Sequence, residues 1–127
     1  MPIKTKNTAP TDAIRRFVIG PIQLPGQHTA DVAKIAAFDM PDDAYITALD
    51  VWARDSGGSS ETCAVNVITG GSTIVTANII ADSVITTTPD APGTSVSAGD
   101  EILISLDLGG SSPEFDDISV TIHCRSR

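Results

Sequence analysis

Apolar and polar residues alternate along most of the chain in short runs, and each run ends at a cluster of glycine, proline, aspartate or serine. Runs rich in valine, isoleucine and threonine are typical of β-strands, in which successive side chains point to opposite faces. Helical stretches do not separate these runs. The pattern therefore predicts about eight strands in two antiparallel sheets that pack face to face.

The predicted strands differ in how clearly their pattern defines them. The clearest is 44–54, in which Leu49 and Val51 share one face while Asp50 and Trp52 share the other. A glycine- and serine-rich loop follows it, so the next strand is expected to be its hairpin partner. The predicted set is 18–24, 31–38, 44–54, 62–69, 74–80, 84–88, 101–107 and 118–124.

Two of these segments leave room for another interpretation. Gly20 and Pro21 interrupt the first, and because proline cannot donate to a sheet ladder, we expect this strand at an edge, with a bulge. The second could instead form a helical turn, since Val32, Ile35 and Ala36 fit the spacing of one helix face. We interpret it as a strand.

The first sixteen residues differ from the rest of the chain in composition and in hydrophobic pattern. They contain two prolines and scattered small polar residues without a sustained period, so they are not expected to fold alone. We therefore divide the chain into an extended basic arm, 1–16, and a sandwich domain, 17–127. The basic residues of the arm, which we expect to contact a partner, are Lys4, Lys6, Arg15 and Arg16.

The charge of the chain limits its partners. Its formal net charge is −8, and all acids except Asp12 lie in the sandwich domain. A body of that sign repels phosphate, so binding to nucleic acid or to an anionic membrane is not expected. The sequence also lacks an apolar run of the roughly 20 residues in a membrane helix and the apolar core of a signal peptide, so we expect synthesis in a cytoplasm.

Few residues suggest catalysis. The chain lacks a Gly-x-Ser-x-Gly motif. Neither His28 nor His123 has a sequence link to a particular serine or cysteine that would indicate a catalytic pair. Its glycine pairs do not precede a lysine, as they do in a phosphate-binding loop. We therefore predict a protein that is not an enzyme, with no catalytic residue and no cofactor.

Two acidic clusters and two cysteines are the remaining candidates for a metal site. Neither cluster has the spaced carboxylates and central glycine of a calcium loop, so we interpret both as solvated loops and predict no metal. Cys63 and Cys124 lack the spacing of a metal or redox motif and are predicted to be buried free thiols, unless their strands prove to be neighbours. The clusters comprise Asp39, Asp42 and Asp43, and Glu114, Asp116 and Asp117.

Trp52 is the only tryptophan of the chain. It could fill the core, contact an interface or stack on a sugar ring. Because it shares a strand face with Asp50 and Arg54, we expect it to point outward. His123 alternates with apolar residues on the last strand and is interpreted as a surface or interface side chain. The possible interface residues are thus Trp52, Arg54, His123 and Arg125.

Three short motifs resemble those of small jelly-roll domains in the virion proteins of tailed bacteriophages. They are VWAR (51–54) before a Gly/Ser loop, AGD (98–100) before the apolar run 102–106, and DLGG (107–110) before the closing strand. The likeness covers 38–127 and is strongest to capsid decoration proteins, also called cement proteins, and to the heads of fibre and tail-tip proteins.

This resemblance implies a jelly-roll-like sandwich with a role in assembly. Decoration proteins commonly form homotrimers on the outer capsid surface, where their arms lie along the major capsid protein and reinforce the shell. The expected partners are therefore the major capsid protein and further copies of this chain, and the expected location is the virion. The alternative is a receptor- or glycan-binding head of a phage fibre or tail, with Trp52 and the Ser/Gly loops as the recognition surface.

Overall fold

The computed structural model of the chain describes residues 15–56, 61–80 and 84–127. Within these ranges the chain forms strands and turns without a helix. The strands are β1 (Arg16–His28), β2 (Val32–Asp39), β3 (Ala44–Ser56), β4 (Thr62–Thr69), β5 (Ser72–Asn78), β6 (Ile85–Thr87), β7 (Thr94–Val96), β8 (Glu101–Gly109) and β9 (Phe115–Ser126).

The strands pair in a nested order. β1 pairs with β9, β2 with β8, β3 with β6 and β7, and β4 with β5, all antiparallel. One sheet has the order β1-β9-β3-β6, with β7 also on β3, and the other has the order β2-β8-β4-β5. A long hairpin folded over in this nested way is a jelly roll, so the predicted antiparallel β-sandwich of the jelly-roll type is confirmed.

The hydrophobic core lies between the two sheets. Side chains from alternate positions of each sheet face inward, which is why the strands read as alternating in sequence. Aliphatic residues dominate, and Phe115 is the one aromatic among the largest fully buried side chains of the described residues. Those side chains are Phe115, Ile46, Leu49, Ile102, Ile104, Leu106, Ile118, Ile122, Val51, Val65, Val67 and Val96.

A bulge in β3 changes the face that its residues occupy. The register against β9 shifts between Ile46 and Ala48, so Thr47 is the extra residue. Ile46 is therefore buried together with Leu49 and Val51, although the sequence alternation placed it with Asp50 and Trp52. Past the bulge, the alternation is as predicted.

The first strand is an edge strand with a bulge, as its glycine and proline indicate. Its register against β9 shifts between Ile19 and Ile22, and Gly20 has φ 109°. A Cβ atom on Gly20 would lie 2.8 Å from the carbonyl oxygen of Val120, too close for any side chain. Glycine is thus required where this edge strand bends against its neighbour.

Several details of the strand prediction were wrong. The predicted hairpin of 44–54 with 62–69 does not form, because β3 and β4 lie in different sheets and the chain crosses between them. β1 continues through Pro25 and Gly26, since a second register shift follows Leu24. β7 was missed because three residues are too few to show an alternation. The strand interpretation of 31–38 is confirmed by β2.

Candidate binding face on the five-stranded sheet

The exposed side of the five-stranded sheet, which we call the outer face, gathers most of the polar and aromatic candidates. The bulge at Thr47 sets which residues of β3 reach it, and strict alternation sets those of β9. Trp52 pairs with Ser119, and Ala48 pairs with His123. The outer face comprises Tyr45, Ala48, Asp50, Trp52, Arg54, Ser119, Thr121, His123 and Arg125 on the two central strands.

Asp50 is the centre of a hydrogen-bond network on this face. The hydroxyl of Thr86 donates to its Oδ1 at 2.6 Å, and Nε2 of His123 lies 2.7 Å from its Oδ2. Burial raises the pKa of Asp50, but the hydrogen bonds from Thr86 and His123 and the charge of His123 lower it by more. The net pKa is below the ordinary value, so the carboxylate is ionised at neutral pH.

An open cavity of about 430 Å³ adjoins this network. Its lining includes Arg16, Phe17 and Val18 from β1, as well as Ala48, Asp50 and Thr86. The short side chain of Ala48 lies on β3 beside the bulge, where a longer side chain would fill part of this space. The cavity thus arises where a bulge and an alanine coincide.

The aromatic residues flank the network along β3. The guanidinium carbon of Arg125 lies 5.0 Å from the centre of the Tyr45 ring, a cation–π contact. Trp52 is half-buried and points outward, two residues beyond Asp50, so it does not fill the core. The expectation of an outward Trp52 is confirmed.

Arg54 is held by two acids at the far end of the outer face. Its Nε donates to Oδ2 of Asp117 at 2.8 Å, and its Nη2 lies 3.6 Å from Oδ2 of Asp116. Asp117 has φ 52° and also accepts a hydrogen bond from the backbone N–H of Gly26 at 2.7 Å. The bonds from Arg54 and Gly26 lower the pKa of Asp117. Arg54 therefore helps to tie β3 to β9 and, through Asp117, to β1.

The two ends of the described chain meet at the turn before β3. Arg15 forms an ion pair with Asp42 at 3.1 Å, and Arg127 lies 3.8 Å from Asp43. The backbone N–H of Ser126 donates to the carbonyl of Arg15 at 2.7 Å. We call Arg15, Asp42, Asp43, Ser126 and Arg127 the chain-end cluster. It holds Arg15, the first described residue, against the C-terminal end of β9.

The arm residues named from the sequence fall into two groups. Arg16 is the first residue of β1 and Arg15 belongs to the chain-end cluster, so both are part of the sandwich edge. Lys4 and Lys6 lie outside the described residues.

Among the described residues, Thr86 and His123 do not form a hydroxyl–imidazole pair. Thr86 donates to the carboxylate of Asp50, and His123 contacts the other oxygen of the same carboxylate. His28 lies elsewhere, with Nε2 2.9 Å from the carbonyl of Leu24. Cys63 and Cys124 are free and buried, as expected, and burial raises their pKa values to about 12 and about 11. Thiols with pKa values this high remain protonated at neutral pH, and because the thiolate is the reactive form, they are poor nucleophiles.

The acidic clusters bind groups of the chain itself. In one, Asp42 and Asp43 contact arginines, and Asp43 also accepts the backbone N–H of Ala98 at 2.9 Å. In the other, Glu114 accepts from the Gln27 amide. Across residues 15–56, 61–80 and 84–127, no three His, Cys, Asp or Glu side chains are grouped so as to hold a metal ion.

The structure brings the four predicted interface residues onto one face, which sequence reasoning could only suggest for Trp52 and Arg54. The sequence did not indicate the cavity, nor that Ala48 and Thr86 line it. Asp50 had a signal in the sequence, because it shares a strand face with Trp52. Thr86 had none, since its contact with Asp50 joins positions 36 residues apart.

Comparisons with models of protein families, with curated proteins and with solved structures give no match for this chain. None of the described residues forms a helix with the length and apolar character needed to span a membrane.

Proposed function

We propose that the chain is a structural protein of a bacteriophage virion, which decorates the capsid surface as a homotrimer and cements it through its N-terminal arm. The major capsid protein is the proposed partner. The observation that carries the proposal is a jelly-roll sandwich in which Arg15 and Arg16, the last residues of the predicted arm, are tied to the sandwich by the chain-end cluster and β1. The likeness of three motifs to decoration proteins gives the proposal its biological class.

The chain-end cluster connects Arg15 to β9, a strand that is paired on both sides. The backbone N–H of Arg15 donates to Oγ of Ser126 at 2.9 Å, and the reciprocal backbone bond is 2.7 Å. β1 then pairs with β9 along most of its length, and β9 pairs with β3 on its other side. A pull on Arg15 would therefore be shared by the many hydrogen bonds between β1, β9 and β3.

Charge supports the same arrangement. The sandwich carries nearly all of the acids, and Lys4 and Lys6 precede it. A basic segment can bind an acidic surface of a capsid protein while the acidic bodies stay soluble. Many weak attachments on one shell then reinforce it together.

Exposed apolar side chains support self-association. Ile80 and Val84 are more than half exposed, at 60% and 65%. An aliphatic core with few aromatic rings gains additional stability when such side chains are buried between copies. A homotrimer would cover them without any further binding site.

Removal of residues 1–14 tests the anchoring directly. This truncation keeps Arg15 and β1 intact, so the sandwich should keep its thermal unfolding curve. We expect the full chain to sediment with emptied capsids of the phage that encodes it, and the truncated chain to remain in the supernatant. The full chain with Lys4→Glu and Lys6→Glu is the matched control for charge, and it should bind weakly. Undiminished binding by the truncated chain would exclude attachment through the arm.

The outer face favours a second candidate, a receptor- or glycan-binding head of a phage fibre or tail. Its half-buried Trp52 and the adjoining cavity are suited to recognition of a ligand. Binding of whole host cells by the chain, with loss in Trp52→Ala and no binding to capsids, would support this role over cementing.

A further inference from the structure

We propose that the cavity between Val18, Ala48, Asp50 and Thr86 is a binding site for a neutral saccharide of one or two rings. The site belongs to the sandwich itself. It is independent of the arm, so a decoration protein and a head domain could equally carry it.

The size and position of the cavity suit a small ligand. Its volume of about 430 Å³ is within the range of small-molecule sites, roughly 300–1,000 Å³. Its floor and walls come from strands, β1, β3 and β9, and from the short strand β6. A site built on paired strands is held in place before a ligand arrives.

The Asp50 carboxylate is held in place by hydrogen bonds, but its capacity to accept hydrogen bonds is not used up. Each oxygen of the Asp50 carboxylate takes one hydrogen bond from the chain, from Thr86 and from His123. A carboxylate oxygen can accept two hydrogen bonds, so each can take one more from a ligand hydroxyl. Two neighbouring hydroxyls of a sugar ring match two oxygens of one immobilised carboxylate.

The charges of the site favour a neutral ligand. Asp50 is ionised, and Arg16 lines the same cavity. A phosphate or carboxylate ligand would approach the Asp50 carboxylate, and a cationic ligand would approach the Arg16 guanidinium. A ligand with hydroxyls and without net charge avoids both repulsions.

Apolar surface completes the match to a sugar ring. Val18 is 53% exposed beside the cavity, and Phe17 and Ala48 also line it, so a ring can place its C–H groups against them. Trp52 lies two residues from Asp50 on the same face, about 7 Å along the strand. A second ring would reach the indole, on which sugar rings can stack.

Titration of the isotope-labelled full chain, followed by NMR, tests the site. The neutral probes are methyl α-glucoside, lactose and N,N′-diacetylchitobiose, and the charged comparators are glucuronate and glucosamine. We expect saturable shifts of the Ala48, Asp50 and His123 amides with at least one neutral probe, and weaker binding of both comparators.

Variants separate this site from any other surface. Ala48→Leu should fill the cavity and Asp50→Asn should remove the charged acceptor, and each should weaken binding about tenfold or more. Ala37→Leu adds the same bulk to an exposed position of β2 and should bind like the unaltered chain. The amide spectrum of each variant checks its fold.

The proposal is overturned if no neutral probe shifts these amides, if a charged comparator binds as tightly, or if Ala48→Leu leaves the affinity unchanged. None of these results depends on capsid binding, so the site and the cementing role can fail separately.

Discussion

The two exposed sheet faces both carry polar side chains, but they use them differently. On the four-stranded sheet, Nδ2 of Asn66 donates to Oγ of Ser105 at 3.1 Å and to Oδ2 of Asp107 at 3.0 Å, while Thr76 donates to Oδ1 of Asn66 at 2.8 Å. Asn66 and Ser105 are only 8% and 5% exposed. On the outer face, Asp50 also takes two hydrogen bonds, yet it lies at an open cavity.

The Asn66 network is suited to holding strands together, whereas Asp50 is suited to contacting a ligand. The amide of Asn66 is satisfied by its neighbours on β5 and β8, so its network holds strands together and offers little to a ligand. Asp50 is held by two neighbours and keeps acceptor capacity toward solvent. A ligand needs unused hydrogen-bonding capacity, which is why we propose the binding site at Asp50 and not at Asn66.

Both faces rest on one hydrophobic core, and core truncations test this with the largest expected effect. Leu49 of β3 and Leu106 of β8 are fully buried. We expect Leu49→Ala and Leu106→Ala each to lower the free energy of unfolding by about 2–5 kcal/mol. Urea denaturation should give one transition for both variants. A second transition in either would mean that the sheets unfold separately.

A smaller effect should distinguish the two polar networks. Asn66→Ala leaves Ser105 and Thr76 without their partner in a nearly buried place, so we expect a loss of about 1–3 kcal/mol. Thr86→Val removes a bond to Asp50 where water can replace it, so the loss should stay within about 1 kcal/mol. The matched measurement is thermal unfolding of both variants at neutral pH. Equal losses would contradict the distinction between a closed and an open network.

The smallest effect is a pH dependence that belongs to the outer face. The folded pKa of Asp50 is below its ordinary value of 3.8. The ionised carboxylate therefore stabilises the fold above that value, and this contribution disappears as pH falls through the folded pKa. The stability difference between the unaltered chain and Asp50→Asn should thus shrink between about pH 5 and pH 2.

Thr86→Val serves as the control for this pH effect, because it removes one of the two hydrogen bonds that lower the Asp50 pKa. In that background, the difference caused by Asp50→Asn should already be small at pH 5. A pH-independent difference in both backgrounds would show that Asp50 contributes by packing and not by its charge.

The sequence predicted those parts of the fold that depend on local pattern. β4 has the bounds expected from its alternation, and the glycine pair after Thr69 does form the reversal to β5. Pro21 indicated an edge strand because it has no N–H to donate to a second neighbour, and Gly20 beside it indicated a bulge. Trp52 was expected outward because its neighbours on the strand face are charged.

Features that depend on distant contacts were not predictable. Thr47 has nothing in its own residue type to mark a bulge, and only the packing of both Ile46 and Leu49 into the core requires one. The separation of β3 and β4 into different sheets follows from the nested pairing of the whole chain. The cavity was not predictable for the same reason. It requires the bulge at Thr47, the short side chain of Ala48, and the pairing that brings Thr86 of β6 beside β3.

The proposed reinforcement of a capsid through the N-terminal segment is tested most directly by the position of the chain in an intact virion. We expect an electron cryomicroscopy map of a virion that contains the chain to show three sandwiches at each junction of the major capsid protein. The end that carries Arg15 and Asp42 should face the shell. A shell without these sandwiches, with the chain found at a fibre or tail tip, would contradict the claim.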